Sequence, residues 1–200
     1  MTNKVLLLDT LPDWVVTKLQ DLGCSVIVKT GVGEAEHPAL LKDINPRILI
    51  VRSTKVNRAM IEAASDLSLI IRSGTGYNTI DVAAASERSI YVSNCPGKNA
   101  IAVAELAMGL MLSLDRRIPD NVFDLRQGTW NKKEYSKAKG LYGRTLAVIG
   151  TGNIGKEVIL RAKAFGLHVV AYSRSLTPEG AEALGAQYAP SIIDAVRNAD

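Results

Sequence analysis

The sequence predicts two α/β units in tandem, a flavodoxin-like one over residues 1–98 and an incomplete Rossmann-type one over 99–200, on three observations. Short β-branched or leucine-rich runs alternate with helical stretches through the first half, the pattern of a parallel sheet wrapped by helices. A long apolar helix and a polar loop then interrupt the alternation. Beyond them a buried-strand pattern resumes at Leu146 and runs directly into three glycines spaced GxGxxG.

Taken in order, strands are expected over 4–8, 25–29, 47–52, 68–72 and 90–93, with helices over 12–22, 38–44, 58–64 and 80–87 between them. Pro12 stands near a helix start and Gly23 just past its end, the usual asymmetry of the two residues. The tight segment from Asn94 to Gly97 ends the first unit. A helix over 99–117 follows, with Asn99 expected to cap it by accepting from a backbone N–H. It carries more apolar positions than one stripe can bury, which leaves an interface helix and a central core helix as open readings. A polar loop over 128–143 leads into the second unit, where strands are read at 146–149 and 168–171 and helices at about 153–165 and 191–198.

Composition excludes several classes. The chain is 47% hydrophobic and 22% charged, enough apolar material for a core and too much for a disordered chain. The formal charge of +4 is spread along the sequence without a run of five basic residues. Lys132, Lys133, Lys137 and Lys139 are interrupted by Glu134 in the expected loop, so they read as solvated surface and no nucleic-acid partner is expected. The amino terminus resembles neither a signal peptide nor an anchor, so the expectation is a cytoplasmic protein without membrane association. Cys24 and Cys95 lack partners at ligand spacing, which argues against zinc and leaves them as small buried apolar residues.

The glycine turn is the most informative segment. Gly150 permits the tight turn, Gly152 lets a pyrophosphate approach the backbone, and Gly155 brings the following helix against the strand. Backbone donors at Asn153, Ile154 and Gly155 then face the phosphates at the positive end of the helix dipole. A purely structural βα turn is the alternative. About 20 residues further on, where an acid usually holds the ribose 2′-hydroxyl, stand Ser173 and Arg174. A guanidinium without a neighbouring carboxylate favours the 2′-phosphate, so NADP is preferred over NAD; stacking on adenine, or plain solvent exposure, is the other reading of Arg174.

Four ordered segments, VRSTKV (51–56), RSGTGYNTID (72–81), NCPGKNAIAVAELA (94–107) and LYGRTLAVIGTGNIG (141–155), resemble the D-isomer-specific 2-hydroxyacid dehydrogenases, most of all their 3-phosphoglycerate dehydrogenase branch. The resemblance covers essentially the whole chain. It implies a flavodoxin-like substrate domain, then a truncated NAD(P)-binding domain, in an oxidoreductase acting on the CH–OH group of a 2-hydroxy acid of the 3-phosphoglycerate, glyoxylate or hydroxypyruvate kind. It implies that Arg52, Ser53, Gly74, Thr75 and Gly76 grip the substrate carboxylate, and that Thr75 and Val103 lie at the nicotinamide end of the coenzyme. A strand-end salt bridge for Arg52, a simple turn for the glycines and a packing role for Val103 stay open beside these. Lys55 could meet a substrate phosphate or only solvent. Ala100 stands where the family often has a hydroxyl, so no contact is expected there. A homodimer through the apolar helix and the 128–143 loop is also implied.

The family's proton-transfer histidine, its glutamate and its carbonyl-polarising arginine fall beyond Asp200. Only His37 and His168 are present and neither suits that role, so no catalytic residue is assigned and the 200 residues alone are expected to be inactive. The strand at 146–149 would also lie at an unprotected sheet edge, which reads as a truncated chain. A non-catalytic redox-sensing or corepressor-like NAD(P) module is the alternative function. A phosphoreceiver domain is disfavoured because Arg52 stands where the phosphoacceptor aspartate would be needed.

Overall fold

Leucine- and isoleucine-rich runs of four residues, each bounded by polar or turn residues, build a parallel sheet in the first half of the chain. The computed structural model describes residues 3–200 and divides into two units, Met1–Lys98 and Asn99–Asp200. The first unit runs β1 (Lys4–Leu7), α1 (Asp13–Asp21), β2 (Ser25–Val28), α2 (His37–Ile44), β3 (Ile48–Val51), α3 (Arg58–Ala63), β4 (Leu69–Arg72), α4 (Val82–Glu87) and β5 (Tyr91–Ser93). All neighbours are parallel, in the order β2-β1-β3-β4-β5, the flavodoxin-like order. Central strands are covered on both faces, and successive side chains divide between them. Val5, Leu7 and Ile50 face Val16 and Leu19 of α1, whereas Leu6, Leu49, Val51 and Ile70 join Leu41, Met60 and Ile61 on the other side.

The second unit runs α5 (Ala100–Arg116), α6 (Ile118–Arg126), α7 (Lys132–Tyr135), β6 (Thr145–Ile149), α8 (Asn153–Ala164), β7 (His168–Tyr172), α9 (Pro178–Leu184), β8 (Gln187–Tyr188) and α10 (Ile192–Val196). Its parallel strands lie in the order β6-β7-β8. Ile159 and Ala162 of α8 pack with Val148, Val169 and Ala171 beneath and Met108 of α5 above. Among the described residues β6 pairs on one side only. On its other side, Asp200 donates from its backbone N to the Thr145 carbonyl (3.0 Å) and accepts from the Thr145 N–H through Oδ2 (2.9 Å).

Several expectations are corrected. The expected loop over 128–143 contains α7, so Lys132 and Lys133 are helical, and α6 precedes it. The break between α5 and α6 has a cause in Pro119, which cannot continue the first helix; Arg117 turns into the left-handed region (φ 48°) and a new helix begins. Asn99 takes the N-cap position, but its side chain makes no cap bond. Its backbone (φ −105°, ψ 5°) is not in the extended conformation a capping side chain requires. Within these residues α5 buries Ala100, Ala104 and Met108, one stripe, and leaves Ile101, Leu106, Leu110 and Leu114 exposed. Both cysteines are half-buried rather than buried, and His37, expected in a polar stretch, opens α2 with its ring buried.

Candidate functional site

In an open parallel sheet ligands bind past the carboxyl ends of the strands, at the point where the winding reverses, which in the first unit lies between β1 and β3. Arg52 and Ser53 leave β3 there, both exposed, and Arg52 makes no ion pair among the described residues. Their backbone is held by Asp9, two residues past β1. Asp9 Oδ2 accepts from the N–H groups of Arg52 (2.6 Å), Ser53 (3.1 Å) and Thr54 (3.1 Å). Burial works against ionisation of this carboxyl, yet the three amides and the Thr54 hydroxyl hold it below the ordinary aspartate range.

One strand over, the register pairs Val51 with Arg72, so Arg72 ends β4 beside the start of the Arg52 loop. Its Nε is buried without a hydrogen-bond partner. The guanidinium folds over Gly74, where an added Cβ would displace it. Gly76 is limited by Asn78, whose Oδ1 would lie 3.1 Å from an added Cβ. The turn is pinned from β5: Asn94 Nδ2 donates to the Thr75 carbonyl (2.6 Å), Thr75 Oγ1 donates to the Cys95 carbonyl (3.3 Å), and the Cys95 N–H donates to Gly74 (2.9 Å). Arg52, Ser53, Gly74, Thr75 and Gly76 therefore share one rim of the sheet.

In the second unit the chain leaves β6 at Gly150, whose φ of +100° only glycine adopts without strain. Gly152 occupies the N-cap of α8 in an ordinary conformation, and nothing lies within 4 Å of where its Cβ would stand. A Cβ on Gly155 would strike the Gly150 carbonyl oxygen, so this glycine lets α8 close on the turn. No side chain caps α8, and Asn153 and Ile154 in its first turn are exposed. The arrangement leaves backbone donors at the positive end of α8, the kind of group that attracts an anion. Ser173 and Arg174 follow β7, the adjacent strand, at the same end, with Arg174 exposed. Val103 is half-buried on α5, away from the turn in sequence but on the helix that packs against α8.

His37 is buried on α2 with Nδ1 lacking a partner, and His168 begins β7 at the end opposite the glycine turn. Neither joins the groups above. Asp9, Arg72 and Asn94 are the site residues that sequence reasoning missed. Arg72 lay inside a quoted motif and its strand-end position was readable; Asp9 and Asn94 act through backbone atoms far along the chain, which no local pattern displays. Among the described residues no group of three His, Cys, Asp or Glu could hold a metal ion, and no helix is long and apolar enough to cross a membrane.

Comparison with known proteins identifies the family. The family model described as D-isomer specific 2-hydroxyacid dehydrogenase, catalytic domain, matches residues 5–200. A D-3-phosphoglycerate dehydrogenase of Methanocaldococcus jannaschii is 42% identical over 198 residues, covering 98% of this chain and 37% of that protein. A hydroxypyruvate reductase of Thermotoga maritima is 51% identical over 126 residues, 62% of this chain and 41% of the relative. The solved structure of an acyclic imino acid reductase in complex with NADPH and D-Arg matches with a TM-score of 0.82 at 28% identity, over 98% of this chain and 63% of that one. The chain thus spans about two-fifths of the length of these curated relatives.

Proposed function

Because the chain belongs to the D-isomer-specific 2-hydroxyacid dehydrogenases, we propose that it forms the substrate-binding unit and the first half of the coenzyme-binding unit of an NAD(P)-dependent oxidoreductase acting on a D-2-hydroxy acid. The observation that carries this is the turn at Gly150, Gly152 and Gly155, where each glycine answers a distinct demand of a diphosphate-binding βα unit. Bound there, the coenzyme would supply the hydride acceptor or donor for the substrate carbon that bears the hydroxyl. Asn153, Ile154 and Gly155 would hold its pyrophosphate through backbone donors.

On the first unit, the exposed Arg52 guanidinium would take the substrate carboxylate, with Ser53 beside it and the Gly74–Thr75–Gly76 turn closing the rim. Arg72, the last residue of β4, and exposed Lys55, in the loop that follows β3, add two cations beyond those strand ends, which supports an acid carrying a second anionic group, such as a 3-phosphoglycerate-like one. A hydroxypyruvate or glyoxylate substrate would need only Arg52. Proton transfer is assigned to groups outside these 200 residues, since His37 is buried at the start of α2 and His168 begins β7 at the end of its sheet opposite the glycine turn.

Ser173 and Arg174 support NADP over NAD, because an exposed guanidinium at the end of β7 can pair with a 2′-phosphate and no carboxylate at either position opposes it. Exposed Leu106, Leu110 and Leu114 on α5, with Phe123 on α6, support a homodimer as the working assembly. The test is steady-state kinetics of the full-length protein with phosphorylated and unphosphorylated 2-oxo acids and both coenzymes. The proposal expects turnover of a D-2-hydroxy acid pair and a lower KM for NADP; replacing Arg174 with Ala should abolish that preference. Turnover confined to NAD contradicts the coenzyme assignment, and no turnover of any such acid contradicts the reaction.

A further inference from the structure

Three consecutive N–H groups at the end of a strand make an anion-binding concavity, and in open sheets that is where a ligand's anionic group settles. In this chain the concavity at the end of β3 is already taken. Leu8 still donates to Ile50 in the β1–β3 ladder (3.2 Å), and the next residue, Asp9, turns one carboxylate oxygen onto all three amides of Arg52, Ser53 and Thr54. Those amides lie 43 to 45 residues away in sequence, so the bond ties the ends of two strands and is not a local turn. A hydroxyl or neutral amide oxygen attracts three donors less strongly than an ionised carboxylate does.

We infer that Asp9 is a positioning residue for the substrate site. Its carboxylate fixes the backbone from which Arg52 and Ser53 project, and it occupies the amides that a substrate carboxylate would otherwise engage. The substrate's anion is thereby left to the Arg52 guanidinium, whose planar fork selects a carboxylate presented in one orientation. The inference rests on the substrate-binding role given to Arg52 above. The low-lying ionisation of Asp9 accords with it, since the clamp then stays charged at neutral pH.

The experiment compares wild-type, Asp9→Asn and Asp9→Ala forms of the full-length protein by substrate KM, kcat, coenzyme Kd, melting temperature and amide exchange at residues 52–54. Asp9→Ala is expected to raise KM for the 2-oxo acid about tenfold. Coenzyme Kd should not move, and exchange at 52–54 should quicken. Asp9→Asn, which keeps one acceptor oxygen, should fall between. Millimolar formate, a free carboxylate, should restore part of the lost affinity in Asp9→Ala and do nothing helpful in wild type. Unchanged KM and unchanged exchange in Asp9→Ala overturn the inference, as does a joint fall of melting temperature, coenzyme affinity and kcat that formate leaves untouched. Wild-type protein that turns over no 2-hydroxy acid overturns the functional reading and the substrate part of this inference together; exchange at 52–54 still decides whether Asp9 holds the loop.

Discussion

Gly150, Gly152 and Gly155 stand in one turn, yet each is glycine for its own reason, and substitution separates the reasons. Gly150→Ala meets a φ of +100°, and Gly155→Ala meets the Gly150 carbonyl; each is expected to destabilise the second unit by about 1–3 kcal/mol, read as a lower midpoint in denaturant unfolding. Their spacing was legible in the sequence because the pattern is local. The crowding over Gly74 was not, because it depends on where the Arg72 guanidinium folds back. Tyr135 offers a test of a different kind. Its hydroxyl donates to Asp124 (2.7 Å), and that bond first, then burial, pushes the phenol up to about 12 from 10.0. A raised pKa means the bond stabilises the fold fully below pH 10.0 and is lost as pH rises toward about 12. Ring NMR titration should place Tyr135 near the upper value, and Asp124→Asn should return it toward the lower one; a wild-type midpoint near 10.0 contradicts the bond.

At the scale of elements, strand and helix positions in the first unit were readable to within one or two residues, since buried parallel strands are continuous apolar runs and their helices begin at marked residues. Asn57 caps α3 by accepting from Met60 N (3.1 Å), and Asp81 caps α4 by accepting from Ala84 N (2.9 Å). Replacing either with Ala should cost about 1 kcal/mol in equilibrium unfolding without moving coenzyme affinity. The second unit was less legible. α6 has no buried residue to impose a periodic pattern, α7 is one turn held by Asp124, Tyr135 and the Arg117–Glu134 pair, and β8 is two residues long. Asn99 shows the limit of residue type as a guide: the side chain suits a cap, and the backbone conformation decides that it does not make one.

Across the whole molecule, each unit carries its own core, built around Leu6, Leu49 and Ile70 in the first and around Val148, Ile159 and Ala171 in the second. Fold class and the glycine turn could be read from the sequence because they follow from periodicity and spacing, whereas the rim of the first sheet could not, because it is assembled from four strand ends distant in sequence. Leu49→Ala, at a fully buried position, should lower stability by about 2–5 kcal/mol, measured by amide exchange across the first unit. The account as a whole depends on a diphosphate resting against Gly152. Its Cβ would point into open space in a conformation any residue accepts, so Gly152→Val should fold normally while obstructing the ligand. Calorimetric titration of the full-length protein with NADH and NADPH is expected to show binding by wild type and at least roughly tenfold weaker binding by Gly152→Val at an unchanged melting temperature. Equal affinity in the two proteins, or no coenzyme binding by wild type, would contradict it.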